Sequence, residues 1–228
     1  MTRTAARGVA ALGVGVAAAI LFAARSLAAG PSTPVVLPDP AIDQPAATAA
    51  GQQSIVFAGG CFWGVQAVFQ HVKGVVSATS GYAGGSVDDP SYEQVSTGTT
   101  GHAESVRVVY DTSQVSLGQL LKVFFSVVHD PTELNRQGPD VGPQYRSAVF
   151  YSTDAQKKIV QAYIAQLTAA KAFPKPIVTE VAPLRAFHEA EAYHQNYYTL
   201  HPNQPYIVIN DRPKVEALKT QFAALWKQ

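Results

Sequence analysis

The sequence predicts an α+β domain in which helices pack on one mixed sheet in the split βαβ arrangement. Three observations predict it. Of 228 residues, 47% are hydrophobic and 14% charged, the composition of a chain that forms a core and not of a disordered one. From position 54 onward the hydrophobic periodicity runs strand, helix, strand, strand, helix, strand, the order that gives a split βαβ unit. No internal repeat appears, and about two hundred residues beyond the N-terminal run suit one domain.

The first 28 residues read as an address. Arg3 and Arg7 precede an apolar run from Val9 to Ala24, and Ser26-Leu27-Ala28 offers small residues before a cut, the pattern of a secretory signal peptide. Export, to the periplasm, is the expectation. The alternative is an uncleaved membrane anchor, because the run approaches the roughly 17 residues that span a bilayer. Residues 29–53 carry Pro31, Pro34, Pro38, Pro40 and Pro45 without periodicity, so they read as a linker mostly without fixed structure. The ordered domain is then 54–228. With 17 Lys+Arg against 16 Asp+Glu, the chain lacks the basic excess of a nucleic-acid-binding protein.

Ser54 to Ala58 is a short β-branched apolar run ending at Gly59-Gly60, a strand and a turn. Cys61 to Gln70 follows as a helix. Val75 to Tyr82 and Ser105 to Tyr110 read as strands, separated by a polar loop long enough to be functional. Leu117, Leu120, Leu121, Phe124, Phe125 and Val128 fall at steps of three and four, one face of an amphipathic helix. Ser147 to Tyr151 is a strand, and Thr153 with Gln156 forms a capping box for a helix carrying Val160, Tyr163, Ile164 and Leu167. Ile177 to Val181 is a further strand. Glu189 to Tyr198 reads as a last short helix before a Pro-punctuated tail.

The chemistry gathers in three loops. In Gly60 to Gly64, GCFWG, the only cysteine of the chain stands at a helix start, where unpaired N–H groups and the helix dipole lower a thiol pKa. Phe62 and Trp63 form an apolar cup beside it, or belong to the core with an inert cysteine. Thr100 to Glu104 and Gly138 to Ser147 supply Glu104, Asp140 and Tyr145. An acid facing an apolar cup holds its proton toward neutrality and can give it to an oxygen that thiolate attack releases. Two other classes compete for these residues. One is a Cys–His hydrolase with His102 or His194 as base; the other is an exported binding module using the aromatic cup. Glu191 and His194 form one Glu-x-x-His element, but di-iron sites need two such elements and further glutamates, so no metal is expected.

Six segments together resemble one family. AGGCFWG (58–64), SGYAGG (80–85), TGHAE (100–104), HDPT (129–132), QYRS (144–147) and AEAYHQNY (190–197) are similar to the A-type peptide methionine sulfoxide reductases, over about residues 55–213. The resemblance implies a ferredoxin-like core, the S epimer of methionine sulfoxide as substrate, free or in oxidised proteins, and no cofactor. It implies Cys61 as nucleophile, Phe62 and Trp63 around the substrate methyl group, and Tyr82, Glu104 and Tyr145 on the sulfoxide oxygen, with Asp140 as the acid of the third loop. Many members carry a second, resolving cysteine. None follows Cys61 here, so an external reductant is expected, a small thiol or a thioredoxin-like protein, acting on a monomer.

Overall fold

The computed structural model describes residues 1–2, 36–45 and 51–228. The signal-peptide or anchor expectation falls outside the described residues, and among these no helix is long and apolar enough to cross a membrane. Strand β1 (Gln52–Gly59) leads through Gly60 and Cys61 into α1 (Phe62–Gln70), then β2 (Val75–Ala83), α2 (Tyr92–Ser96) and β3 (Ala103–Asp111). Helix α3 (Leu117–Val123) continues as a π turn over Phe124–Val128. The hairpin β4 (Arg136–Gln137) and β5 (Asp140–Val141) precedes β6 (Ser147–Tyr151), α4 (Asp154–Ala169), β7 (Glu180–Pro183) and β8 (Phe187–Glu189). Helix α5 (Tyr197–Leu200) and, after a second π turn at Ile207–Asp211, α6 (Arg212–Gln221) complete the chain.

The main sheet has the order β7-β6-β1-β3-β2-β8. Its central four strands are the split βαβ order, with β3 inserted antiparallel between β1 and β2, while β7 joins β6 in parallel and makes the sheet mixed. Alternation along β1 explains the two faces. Phe57 points to the helical side, where its ring stacks on Phe69 at 4.8 Å and Phe124 at 4.7 Å. Val56 and Ala58 point to the other side, into a smaller cluster with Ala83, Ala103, Ala148 and Phe150. The expected apolar stripe from Leu117 to Val128 is buried throughout.

Four expectations need correction. Over 36–45 the linker is docked on the domain: Leu37 is buried, Pro38 O accepts from Tyr163 Oη at 2.9 Å, and Asp43 accepts from the Gly118 N–H at 2.8 Å and from the Ser116 hydroxyl. The first strand accordingly begins at Gln52. The single helix expected over 189–198 is instead β8, a 3-10 turn at Ala192–His194 and α5. Its amide side chain is the reason: Gln195 donates to Ser80 O and Ala190 O and accepts from the Ser80 N–H, so it replaces a strand partner and holds the segment off the helical path. Thr153 caps α4 through the Gln156 N–H, but the Gln156 carbonyl accepts from Ser152 instead of closing the box. The Pro-punctuated tail also holds helix, with Pro213 directly after the π turn in the first turn of α6.

Candidate active site

A cleft of about 270 Å³ opens where the first turn of α1 meets β3, the β4–β5 hairpin and the segment before α6. A larger groove of about 480 Å³, between Leu167 and Ile177, is lined by Thr168, Lys171 and Lys175 but by neither the cysteine nor any carboxylate. The chemistry therefore belongs to the smaller cleft. Its floor is built by one backbone event: Gly60 leaves β1 at φ +90°, and a Cβ there would lie 2.7 Å from the Gln137 side chain. Only glycine accepts both the conformation and the approach, and Cys61 becomes the N-cap of α1.

Cys61 is 8% exposed. Its thiol is pushed well above its ordinary pKa, by burial first and then by Glu104 and Asp211, against smaller opposing effects of the Trp63 N–H and Lys214. The lowering expected from the helix start is thus outweighed by desolvation. Glu104, 2% exposed, accepts the Phe62 N–H at 3.0 Å and caps the helix that Cys61 begins. Burial pushes its carboxyl up to about 8, with Asp140 and Asp211 adding to the rise and the Phe62 N–H opposing it. At neutral pH the cleft holds a thiol beside a protonated acid.

Phe62 and Trp63 both line the cleft. Trp63 is fixed on three sides: it stacks on Tyr197 at 3.7 Å, meets the Tyr206 edge at 5.9 Å, and donates from Nε1 to His194 Nδ1 at 3.1 Å. Asp140 and Tyr145 line the opposite wall with Tyr92, and the Asp140 carboxylate accepts from the Tyr206 hydroxyl.

Tyr82 is the exception. It is fully buried, does not line the cleft, and donates from Oη to Glu191 at 2.8 Å. It shares a sheet face with Glu104, its partner in the β2–β3 register, but it packs against the Phe62 ring at 5.9 Å, and its hydroxyl is taken by Glu191. The tyrosine facing Cys61 beside Tyr145 is Tyr92, whose backbone N–H donates to the other Glu191 oxygen at 2.8 Å. Neither histidine considered as a hydrolase base lines the cleft, and the one uncommitted ring nitrogen, His194 Nε2, is buried. His102 accepts from the Gly85 N–H and its other ring nitrogen bonds Val87 O at 2.8 Å, while His194 accepts from Trp63.

A buried thiol, a protonated carboxyl and an aromatic wall around one small cleft make a site for attack on a polarised sulfur–oxygen bond. The chain matches the model of the family described as peptide methionine sulfoxide reductase over residues 53–225. It belongs to that family, in its A type. These enzymes are peptide-methionine (S)-S-oxide reductases, and the reaction is the reduction of methionine sulfoxide. The chain is similar to peptide methionine sulfoxide reductase MsrA 2 of Mesorhizobium japonicum, with 59% identity over 180 residues, 79% of this chain and 92% of the relative. It is 50% identical over 190 residues to the Synechocystis MsrA 2, covering 82% and 89% of the two chains. Among solved structures, methionine sulfoxide reductase A of Corynebacterium diphtheriae superposes with TM-score 0.58 and 35% identity, over 77% of this chain and 87% of that one.

The sequence reasoning missed Tyr92, Gln204, Tyr206, Asp211 and Lys214. Only Tyr92 carried a local signal: Ser91 and Gln94 form a complete capping box, which presents the residue between them at a helix start. The others arrive from the C-terminal tail, and nothing in their spacing points back to Cys61.

Proposed function

We propose that the chain reduces the S epimer of methionine sulfoxide, free or in oxidised proteins, through a sulfenic acid on Cys61 that an external thiol recycles. The observation that carries this reading is that the buried Glu104 carboxyl and the only thiol of the chain line the same cleft. Phe62 and Trp63 hold the substrate methyl group, while Tyr92 and Tyr145 bind the sulfoxide oxygen. Glu104 gives its proton to that oxygen as Cys61 sulfur attacks the substrate sulfur, and the thiol proton replaces the one Glu104 has lost. A bare oxide is a poor leaving group, so this proton is the catalytic contribution. The oxygen then passes as hydroxyl to Cys61: the substrate sulfur gains two electrons, Cys61 loses two, and methionine leaves.

No second cysteine exists to form an internal disulfide. One external thiol condenses with the sulfenic acid and releases water; a second attacks the mixed disulfide and restores the Cys61 thiol. Export of a monomeric enzyme to the periplasm completes the proposal, supported by the leader pattern of residues 1–28, and fractionation of cells expressing the full chain tests it. For the chemistry, the protein is exposed to one equivalent of substrate with and without glutathione, then examined by mass spectrometry and non-reducing electrophoresis. One added oxygen on Cys61, converted to a glutathione adduct, is expected. A dominant covalent homodimer without adduct overturns the recycling scheme.

A further inference from the structure

Beneath the nucleophile lies a buried ion pair that the reaction scheme does not use. Lys214 Nζ is 3.2 Å from Asp211 Oδ1, with the Lys214 side chain 17% and the Asp211 side chain 0% exposed. Neither residue lines the cleft. Both press on Gly64: a Cβ built there would stand 2.1 Å from Asp211 Oδ1 and 3.0 Å from Lys214 Nζ. Gly64 is three residues after Cys61, and residues so spaced share a helix face. The second glycine of GCFWG therefore makes room for two charges under the turn that carries the sulfur.

Burying a pair is costly, and well-packed apolar side chains commonly serve stability as well. The second Asp211 oxygen, Oδ2, is buried without a hydrogen-bond partner, an expense that packing does not explain. The groups facing Cys61 are Glu104 from β3, Asp211 and Lys214 from the C-terminal helix, and Asp140, Tyr92, Tyr145 and Tyr206 around the cleft. Lys214 is the one cation in that set. His129 lies near enough to feel the Lys214 charge but is neutral, since burial holds its pKa down to about 3.

We propose that Asp211 and Lys214 form a positioning pair for Cys61, a charge seat under the first turn of α1 whose two members govern in opposite senses how readily the sulfur gives up its proton. Asp211 opposes the thiolate and Lys214 favours it, which agrees with the direction each exerts on the buried thiol. The seat keeps the resting sulfur protonated and supplies a fixed cation to the thiolate when Glu104 and substrate draw the proton away. It rests on Cys61 being the nucleophile.

The test is the pH profile of iodoacetamide alkylation in the full chain, where a single cysteine makes every label a report on Cys61. Below the midpoint, Lys214→Met is expected to alkylate on the order of tenfold more slowly than wild type, and Asp211→Asn on the order of tenfold faster. The double variant returns toward wild type, and Lys214→Arg stays near it. A merely structural pair predicts otherwise, because loosening α1 exposes the thiol in both single variants and accelerates both. Shifts of equal sign, or no shift, overturn the proposal. Thermal melting identifies any variant that fails to fold; if Lys214→Met does, Asp211→Asn decides alone, since its gain must vanish above the wild-type midpoint. Reductase activity that survives complete alkylation of the wild type instead overturns Cys61 as nucleophile.

Discussion

Replacing Glu104 by glutamine should make the protein more stable at neutral pH and nearly inactive. The carboxyl titrates at about 8 in the fold against an ordinary 4.5, chiefly because it is buried. In the unfolded chain it ionises above 4.5, whereas in the folded chain it keeps its proton. Its contribution to stability is thus fully present below pH 4.5 and is lost as the pH rises to about 8. At about 1.4 kcal/mol per pH unit, the loss at pH 7 is about 3 kcal/mol. Glutamine keeps an oxygen for the Phe62 N–H and has nothing to ionise. Urea titrations of both proteins at pH 4.5 and pH 7 should therefore show the wild type losing about 3 kcal/mol more than the variant between the two. Other titrating groups cancel in that difference. Over the same comparison, single-turnover sulfenic acid formation should fall by about 10² to 10⁴ in the variant. Parallel stability curves, or an unchanged single-turnover rate, would refute the assignment of a buried neutral acid.

Tyr82→Phe should cost about 1 kcal/mol in urea denaturation, the worth of the bond to Glu191, with single-turnover rates near wild type. Tyr145→Phe, in the cleft wall, should slow the same step on the order of tenfold, since a hydrogen bond to the reacting oxygen is worth about 1.4 kcal/mol or more. Gly64→Ala would gain helix propensity of up to about 1 kcal/mol, yet its Cβ would meet Asp211 at 2.1 Å. A net loss of about 1 to 3 kcal/mol by thermal melting is expected, along with an altered alkylation profile of Cys61. Asp43→Ala should lower urea stability by about 1 to 2 kcal/mol through loss of its bonds to Ser116 and Gly118 at the start of α3, leaving reduction of methionine sulfoxide unchanged.

The central strands and the helices between them were legible because each carries its own period: Val106, Val108 and Tyr110 alternate, and Leu117 to Val128 steps by three and four. What escaped was set by partners distant in sequence. Residues 36–45 look like linker because prolines dominate them, yet Leu37 and Asp43 find sites on α3 and α4 that no local pattern announces. The segment 189–198 looks helical, but the Gln195 amide satisfies strand groups of β2 more than a hundred residues earlier. In the site, motif and loop named Cys61, Glu104, Asp140 and Tyr145, and the structure brings these four to one cleft. Tyr82 lies outside the cleft although it shares a sheet face with Glu104, because it packs against the Phe62 ring and bonds Glu191, partners that no local pattern announces. The thiol's direction of shift was misjudged because a helix start is visible in sequence while burial is not.

The π turn at Ile207–Asp211 interrupts one continuous helix between Tyr206 and Gln221. Such a turn holds a residue more than an α turn, and turns of this kind are frequent at functional sites. The spare residue changes phase. Without it, everything after the bulge rotates by about 100° relative to what precedes it. Tyr206, just before the bulge, lines the cleft, while Asp211 at its end and Lys214 beyond it press on Gly64 of α1. A regular helix would set Tyr206 and Asp211, five residues apart, about 140° from one another, and the wider π turn brings them nearer one face. One added residue thus turns the cleft-lining tyrosine and the buried pair toward the same side of a single short segment, and Ile209, 70% exposed within the bulge, can be deleted without opening the core to learn whether the site depends on that phase.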